Sequence, residues 1–593
     1  MTTALTAAAE SDAFDPIEME VFSNRLLSIT EEMGNTLIRS SFSSNIKERK
    51  DCSVALFDAA GRLVAQAAHV PVHLGSLSGG IDAVLRRYGA AGIRPGDAFL
   101  CNDAYLAGGT HAPDITVVSP IFYDGVLRFF AANIGHHTDV GGAVPGSTSH
   151  HLKTVWEEGI RLPAMRIVRQ GELDLDLLEM IAHNTREPDN RMHDIRAQIA
   201  TNDKGARLML ELVRQSGLDT VLPAIDGILR YTERRLRNRI AQLPEGRVSF
   251  TERMDDDGMG GDPVVIQANV QARDGQLHVD FTGTGKQARG AFNLPASALR
   301  ASVYFAVKAM LDPELMPNNG LFQPITISAP EGTITNPVFP AAVGARVTTA
   351  QRVAGTVIGA LGQLLPPGRG MASSNDVMPS MLFSGPLRDG KGTFVYLETL
   401  GGGAGGRARG DGMDGIQVNV TNTSNLPAEA LEIEYPLLVD EYALVNDTGG
   451  AGKYRGGMGI ARQIRSLHDQ LACTIRCDAA LFGAAGLDGG LTGGTSRLIQ
   501  NPGHADEQRL PNKISGHPLP AGVSVRLETP GGGGYGAPAD RALADIRQDL
   551  LGGKVSRAAA ERDYGSETVI RALQQDGLGP AAAGQANTPA RKD

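Results

Sequence analysis

The chain has 593 residues, 42% hydrophobic and 21% charged, enough for several cores and about four domains on length alone, and this composition excludes wholesale disorder. A net charge of −10, with no long Lys/Arg run, removes the attraction that a nucleic-acid or anionic-membrane binder would use. The four cysteines, at 52, 101, 473 and 477, are too few and too scattered for a disulfide framework, and neither a signal peptide nor a run of about 18 apolar residues is visible, so a cytoplasmic, non-membrane protein is expected.

Residues 1–14 read as a disordered tail. Asp15-Pro16-Ile17-Glu18 then supplies an N-cap, a proline at the first helical position and an acidic third residue. Phe22, Leu26, Ile29, Met33 and Leu37 recur at three- and four-residue steps, which predicts a helix to about Ser40. Two strands follow around the turn Ala59–Arg62, and after them the helix LSGGIDAVLRRYG. Residues 173–241 read as mostly helical and are expected to form a layer between two sheet regions. Alternation returns from Arg247 to about Thr282, with Asp274-Gly275 as a hairpin turn. Beyond 295 the helical segments LRASVYFAVKAML and TAQRVAGTVIGALGQLL mix with strands. Glycine makes up 73 of the 593 residues, about 12% where about 7% is usual, and it is densest over about 395–536. No fixed-period repeat occurs, which argues against a solenoid or propeller.

The predicted organisation is a tail (1–14), an N-terminal α/β region (15–172), a helical region (173–245), a central β/α region (246–395), a Gly-rich β region (396–540), and a C-terminal helical piece with a disordered tail (541–593). The fold class is mixed α/β (α+β), multi-domain and β-rich, with Gly-rich loops and a helical layer.

Of thirteen histidines, five (His111, His136, His137, His150 and His151) fall between residues 111 and 151. Asp124-Gly125 between two apolar runs is a two-residue hairpin signal. If it forms the turn, Tyr123 faces Val126, Asp114 faces Gly135 and His111 faces Thr138. One hairpin then gathers His111, Asp114, His136, His137 and Asp139 at its open end. Imidazoles and carboxylates converging without thiolates suit Zn²⁺, Mn²⁺ or Fe²⁺; the alternative is that these groups cap loops around the glycines. His150 and His151 either face a substrate or sit on a surface loop. Cys473 and Cys477, with no second pair nearby, are expected to be buried thiols.

No P-loop is present, and Gly283-Thr284-Gly285 departs from the dinucleotide fingerprint at Ala288. GGGAGG and GGGGYG either cradle an anion or mark tight packing between sheets.

At SFSSNIKERKDCSVALFD, HVPVHLGSL, NDAYLAGGTHAPD, GHHTDVGG, LVNDTGGAGKYRGGMG and TPGGGGYG the chain resembles the hydantoinase B family, from about residue 15 to 540. That family is the subunit class of ATP-dependent N-methylhydantoinases, 5-oxoprolinases and lactamases and, in larger versions, of acetone and acetophenone carboxylases. The resemblance implies a large mixed α/β subunit working beside a hydantoinase A type partner that binds ATP and Mg²⁺, most simply as a heterotetramer with two copies of each. The partner phosphorylates the carbonyl oxygen of a small cyclic amide (a hydantoin, 5-oxoproline or a lactam), and a divalent metal in this subunit supports hydrolysis. By motif, the implied ligands are Asp51, His111, His136 and Asp139, with Asp114 and His137 as orienting groups or general base and Asp103 in reserve. A ketone carboxylase subunit and a non-catalytic scaffold for the ATPase partner are the alternatives.

Overall fold

A computed structural model describes residues 16–67 and 70–574. The tails expected over 1–14 and at the extreme C-terminus, and the N-cap at Asp15, lie outside the described residues. Those residues form a mixed α/β architecture of thirteen α-helices and twenty strands in four sheets.

Helix α1 (Pro16–Ser40) buries the predicted stripe, with Leu26, Met33 and Leu37 fully enclosed and Phe22 and Ile29 nearly so. After the short α2 (Ser44–Lys47), strands β1 (Cys52–Asp58) and β2 (Leu63–Gln66) pair antiparallel about the predicted turn. Helix α3 (Leu74–Gly92) precedes β3 (Ala98–Cys101), β4 (Asp114–Tyr123), β5 (Val126–His136), β6 (Met165–Arg169) and β7 (Glu172–Leu173). These seven strands form one antiparallel sheet in the order β2-β1-β5-β4-β3-β6-β7.

The β4–β5 hairpin turns at Asp124-Gly125, whose φ values of 51° and 73° are the left-handed pair that a two-residue hairpin loop needs. Tyr123 faces Val126 as predicted. The register then shifts between Ile121 and Phe122, where Arg128 is left over as an extra residue, so that Asp114 faces His136 and not Gly135. This corrects the expected register by one. Directly opposed residues of an antiparallel pair share a face, so the bulge is what sets the Asp114 and His136 side chains side by side.

Helices α4 (Leu175–His183), α5 (Pro188–Ser216) and α6 (Leu218–Ile240) confirm that 173–241 is helical but correct its place. With α1, α4 and α5 cover one face of the seven-stranded sheet, through Ile115 and Val117 packed with Leu178, Ile181 and Ile195. The layer between the first sheet and the second is built mainly from α3, α7 (Ala296–Leu311) and α9 (Val347–Gly362), to which α6 adds Leu236 and Ile240 at its end, the short α8 (Asn319–Phe322) lying between α7 and α9 in sequence. Phe99, Val118 and Phe130 of the first sheet share that core with Ile266, Val270, Leu277 and Val279 of the second. The second sheet runs β11-β10-β9-β8, from β8 (Gly246–Met254), β9 (Val264–Arg273), β10 (Gln276–Asp280) and β11 (Ile325–Ser328), and the β9–β10 hairpin turns at the predicted Asp274-Gly275.

The remaining β region is a pair of sheets around one core. One runs β13-β12-β16-β19, from β12 (Ser380–Pro386), β13 (Thr393–Thr399), β16 (Leu471–Arg476) and β19 (Lys513–Leu519). The other runs β14-β15-β20-β17-β18, from β14 (Leu437–Val445), β15 (Gly459–Ser466), β17 (Arg497–Gln500), β18 (Gln508–Leu510) and β20 (Ser524–Glu528). Beside them the Gly-rich loops cross one another backbone to backbone: Gly457 N–H donates to Ala404, Gly406 N–H to Gly533 and Gly450 N–H to Gly532. Their amides are thus committed to packing. Helix α10 (Ala428–Glu434) and the C-terminal α11 (Leu543–Leu551), α12 (Arg557–Tyr564) and α13 (Ser566–Gln574) complete the described chain, and all four cysteines are buried thiols.

Candidate metal centre

The loop from Asn102 to Pro113 delivers the first histidine. Gly109 lies so close to Asn102 that a Cβ there would stand 2.0 Å from the Asn102 carbonyl oxygen, and the Asn102 side chain donates to the carbonyls of Ala112 and Ile160. This folding tucks His111 under the end of β4. Its Nδ1 lies 3.1 Å from the Gly344 carbonyl oxygen, which can only accept, so Nδ1 carries the proton and Nε2 presents its lone pair. Nε2 stands 3.3 Å from Asp114 Oδ1, and both atoms are buried without a hydrogen-bond partner.

Asp114 Oδ2 accepts from Thr110 Oγ1 and from Arg346 Nη2, the latter at 2.7 Å, leaving Oδ1 to face the histidines. His136, opposite it across the hairpin, is set by Asn45 at 3.1 Å from its Nδ1. One ligand atom from each of His111, Asp114 and His136 lies within 4.8 Å of the others, the one such group among the described residues. Burial, with repulsion from Arg346, pulls the His111 imidazole down to about 3, and burial lowers His136 as well. Burial works against ionisation of Asp114, but His111 and Arg346 outweigh it and hold the carboxyl well below the usual carboxylate range. Two imidazoles that burial keeps neutral and an ionised carboxylate, with His111 Nε2 and Asp114 Oδ1 left unpartnered, form a three-group donor set that suits a divalent transition metal.

Asp51 lines the same small cavity, of about 40 Å³, 4.0 Å from Arg49, and its carbonyl accepts from the His136 N–H. Asp139 is not brought to the cluster. Its oxygens accept from the amides of Gly141, Gly146 and Arg186, and Oδ2 lies 2.8 Å from Arg186 Nη1, so the loop after β5 consumes its capacity. His137, one residue past the end of β5, is engaged elsewhere too, between Arg191 and Gln198 of α5, while its amide donates to the Pro113 carbonyl. Asp103 holds the amides of Tyr105 and Leu106 and pairs with Arg161 at 2.6 Å. His150 and His151 line a separate cavity of about 520 Å³ with Asp255, Asp256 and Lys513.

Sequence reasoning missed His73, Arg346 and Arg476. His73 Nε2 is 3.7 Å from Asp114 Oδ1 and its Nδ1 is 3.0 Å from Ser53 Oγ. HVPVHLGSL marked its segment, but no spacing tied it to the hairpin. Arg346 and Arg476 line the cavity from distant parts of the chain, and nothing local signals them.

The chain matches the hydantoinase B/oxoprolinase family over residues 15–538. It is 38% identical over 558 residues to an uncharacterised protein of Methanocaldococcus jannaschii, covering 93% of this chain and 96% of that one. A Pseudomonas protein assigned as the B-type subunit of a D-/L-hydantoinase is 31% identical, with 93% and 95% covered. The 5-oxoprolinase 1 of Arabidopsis thaliana is 34% identical over 88% of this chain, which spans only 42% of that relative's length. Among solved structures, the ATP-dependent caprolactamase of Pseudomonas jessenii superposes with a TM-score of 0.86 at 27% identity over 96% of this chain and 99% of that one. An acetone carboxylase superposes with a TM-score of 0.84 at 20% identity, over 93% of this chain and 79% of that one, a likeness of fold.

Proposed function

The chain belongs to the hydantoinase B/oxoprolinase family, and we propose that it is the metal-dependent hydrolytic subunit of an ATP-dependent cyclic amide hydrolase. The observation that carries this reading is the buried His111–Asp114–His136 cluster with its two unpartnered atoms. No helix among the described residues is long and apolar enough to cross a membrane, and four buried thiols suit the cytoplasm.

An unstrained amide carbon is a poor electrophile. A hydantoinase A type partner, using ATP and Mg²⁺, phosphorylates the ring carbonyl oxygen and so activates the carbon. Overall the ring amide and ATP each take up one water, the ring C–N bond breaks, and ADP and phosphate leave. His111, Asp114 and His136 would hold the divalent metal, Zn, Mn or Fe, which lowers the pKa of water toward neutrality. The other steps belong to the protein's own groups. Arg346 and Thr110 fix the Asp114 carboxylate, the Gly344 carbonyl sets the His111 tautomer, and Asn45 orients His136. Proton transfer, for which the resemblance offered His137 and Asp114 as orienting groups or general base, falls in this reading to His73, whose Nε2 is turned toward Asp114 while Ser53 holds Nδ1. Asp51 faces the same cavity and stands ready as a further ligand or acceptor.

A phosphorylated amide decomposes in water, so it must pass across a lasting interface, written most simply as two copies of each subunit. The test combines the purified chain, its partner, ATP and Mg²⁺ with hydantoin, 5-oxoproline, pyrrolidinone and caprolactam, following ring opening and phosphate together. Opening should need both subunits and ATP, and His136→Ala should abolish it while phosphate release continues uncoupled. Ring opening by the isolated chain without ATP at the rate of the complex would sink the two-subunit reading, and intact activity in His136→Ala would reduce the cluster to a scaffold.

A further inference from the structure

We propose that Arg476 receives a doubly charged tetrahedral anion, the phosphoryl group of the activated substrate, in the cavity beside His111, Asp114 and His136. The inference rests on the hydrolytic reading above and names the group that this site recognises. Arg476 ends β16, is 5% exposed, and lines the cavity with Arg49, Arg346, Thr148, Ser380 and Thr421.

What sets it apart is the missing counter-charge. The other deeply buried arginines meet carboxylates: Arg191 meets Asp194, Arg346 meets Asp114, Arg352 meets Asp478, Arg455 meets Asp414, Arg462 meets Glu398 and Arg541 meets Asp411 and Asp549. Among the described residues the Arg476 side chain has neither ion pair nor hydrogen bond, and its Nε is buried and unpartnered. The cationic group that bears on it is another guanidinium, Arg346; burial and that repulsion push Arg476 down to about 10. A buried cation without a partner is unfavourable unless a ligand supplies the anion.

The charge balance selects the ligand. Three guanidiniums, from Arg49, Arg346 and Arg476, stand against two carboxylates, Asp51 and Asp114, before any divalent cation is added. On the protein alone that excess is one positive charge, and a divalent cation held by His111, Asp114 and His136 would raise it to three, an excess that a dianion matches better than a monoanion does. Ser380, directly across the ladder from Arg476, and Thr148 and Thr421 offer hydroxyl donors to oxygens that the planar guanidinium fork leaves unbonded.

The experiment follows thermal unfolding of the full chain, metal-free and metal-loaded, against inorganic phosphate and against acetate at constant ionic strength. Phosphate should stabilise the wild type saturably and acetate much less. Arg476→Met should weaken the phosphate response about tenfold or more, while melting without anion no lower than the wild type. Arg476→Lys, which keeps the charge but loses the fork, should respond in between, and carries the comparison should Arg476→Met fail to fold. Equal phosphate responses in wild type and variants overturn the proposal, and an acetate response as strong as that to phosphate replaces the phosphoryl group with a carboxylate. The two metal states keep the readings separable. A wild type that binds no metal sinks the hydrolytic site but leaves the phosphate comparison standing, whereas a metal-replete protein indifferent to Arg476 sinks this proposal alone.

Discussion

Asp114 and Asp139 are both fully buried aspartates near the end of one hairpin, yet their surroundings give them opposite tasks. Asp114 keeps Oδ1 free of hydrogen bonds and aimed at two histidines, while Asp139 spends both oxygens on amides and Arg186. Asp114→Asn should therefore cut metal affinity by at least about 10- to 100-fold, measured by elemental analysis after dialysis. Asp139→Asn should leave metal content unchanged and lower stability by about 1–3 kcal/mol, read by denaturant unfolding. Glu158 gives a pH signature. Its Oε1 accepts from the amides of Val343 and Gly344, the segment that sets His111, and burial pushes its carboxyl up to about 8 against those two amides. A folded value above the unfolded value of about 4.3 means that the fold binds this proton more tightly. The contribution is complete below that unfolded value and is lost as pH rises through about 8. Glu158→Gln keeps the acceptor and removes the titration, so its melting temperature should fall less than that of the wild type between pH 5 and 8.

At the scale of elements, period and turn chemistry were readable and irregularities were not. The stripe of α1 and the Asp-Gly turns appear in the structure where the residues placed them. The bulge at Arg128 left no trace in the alternation, because an extra residue in one strand is visible only against its partner. The glycine clusters were recognisable as loops, but their committed amides depend on which loops meet. At Gly456 an added Cβ would lie 1.9 Å from the Gly532 carbonyl oxygen, whereas at Gly410 nothing stands within 4 Å. Gly456→Ala should cost about 1–3 kcal/mol or more, because backbone must move, and Gly410→Ala should stay within about 0.5 kcal/mol. Comparable denaturation midpoints for the two would refute this account of the Gly-rich region.

For the whole molecule, the proposed division of labour with an ATP-using partner predicts that this chain alone gives no micromolar binding of ATP–Mg²⁺ by calorimetry. The GTGK segment is already spent beside the second sheet, where the Gly285 amide donates to Val265 of β9 and the Gly285 carbonyl accepts from the Ile334 amide. The sequence by itself determined the mixed α/β class, the main helices and hairpins, the family, and the neighbourhood of the site, since these rest on local periodicity, turn residues and motif order. Only the tertiary structure decided that α3, α7 and α9, joined from 173–241 by the end of α6 alone, form the layer between the first two sheets. It also decided that Asp114 rather than Asp139 joins His111 and His136, and that His73, Arg346 and Arg476 close the cavity around them. The physical reason is the same in each case: which face a strand residue takes after a bulge, and which distant side chain supplies a counter-charge, are settled by packing between segments far apart in the chain, and no local pattern encodes them.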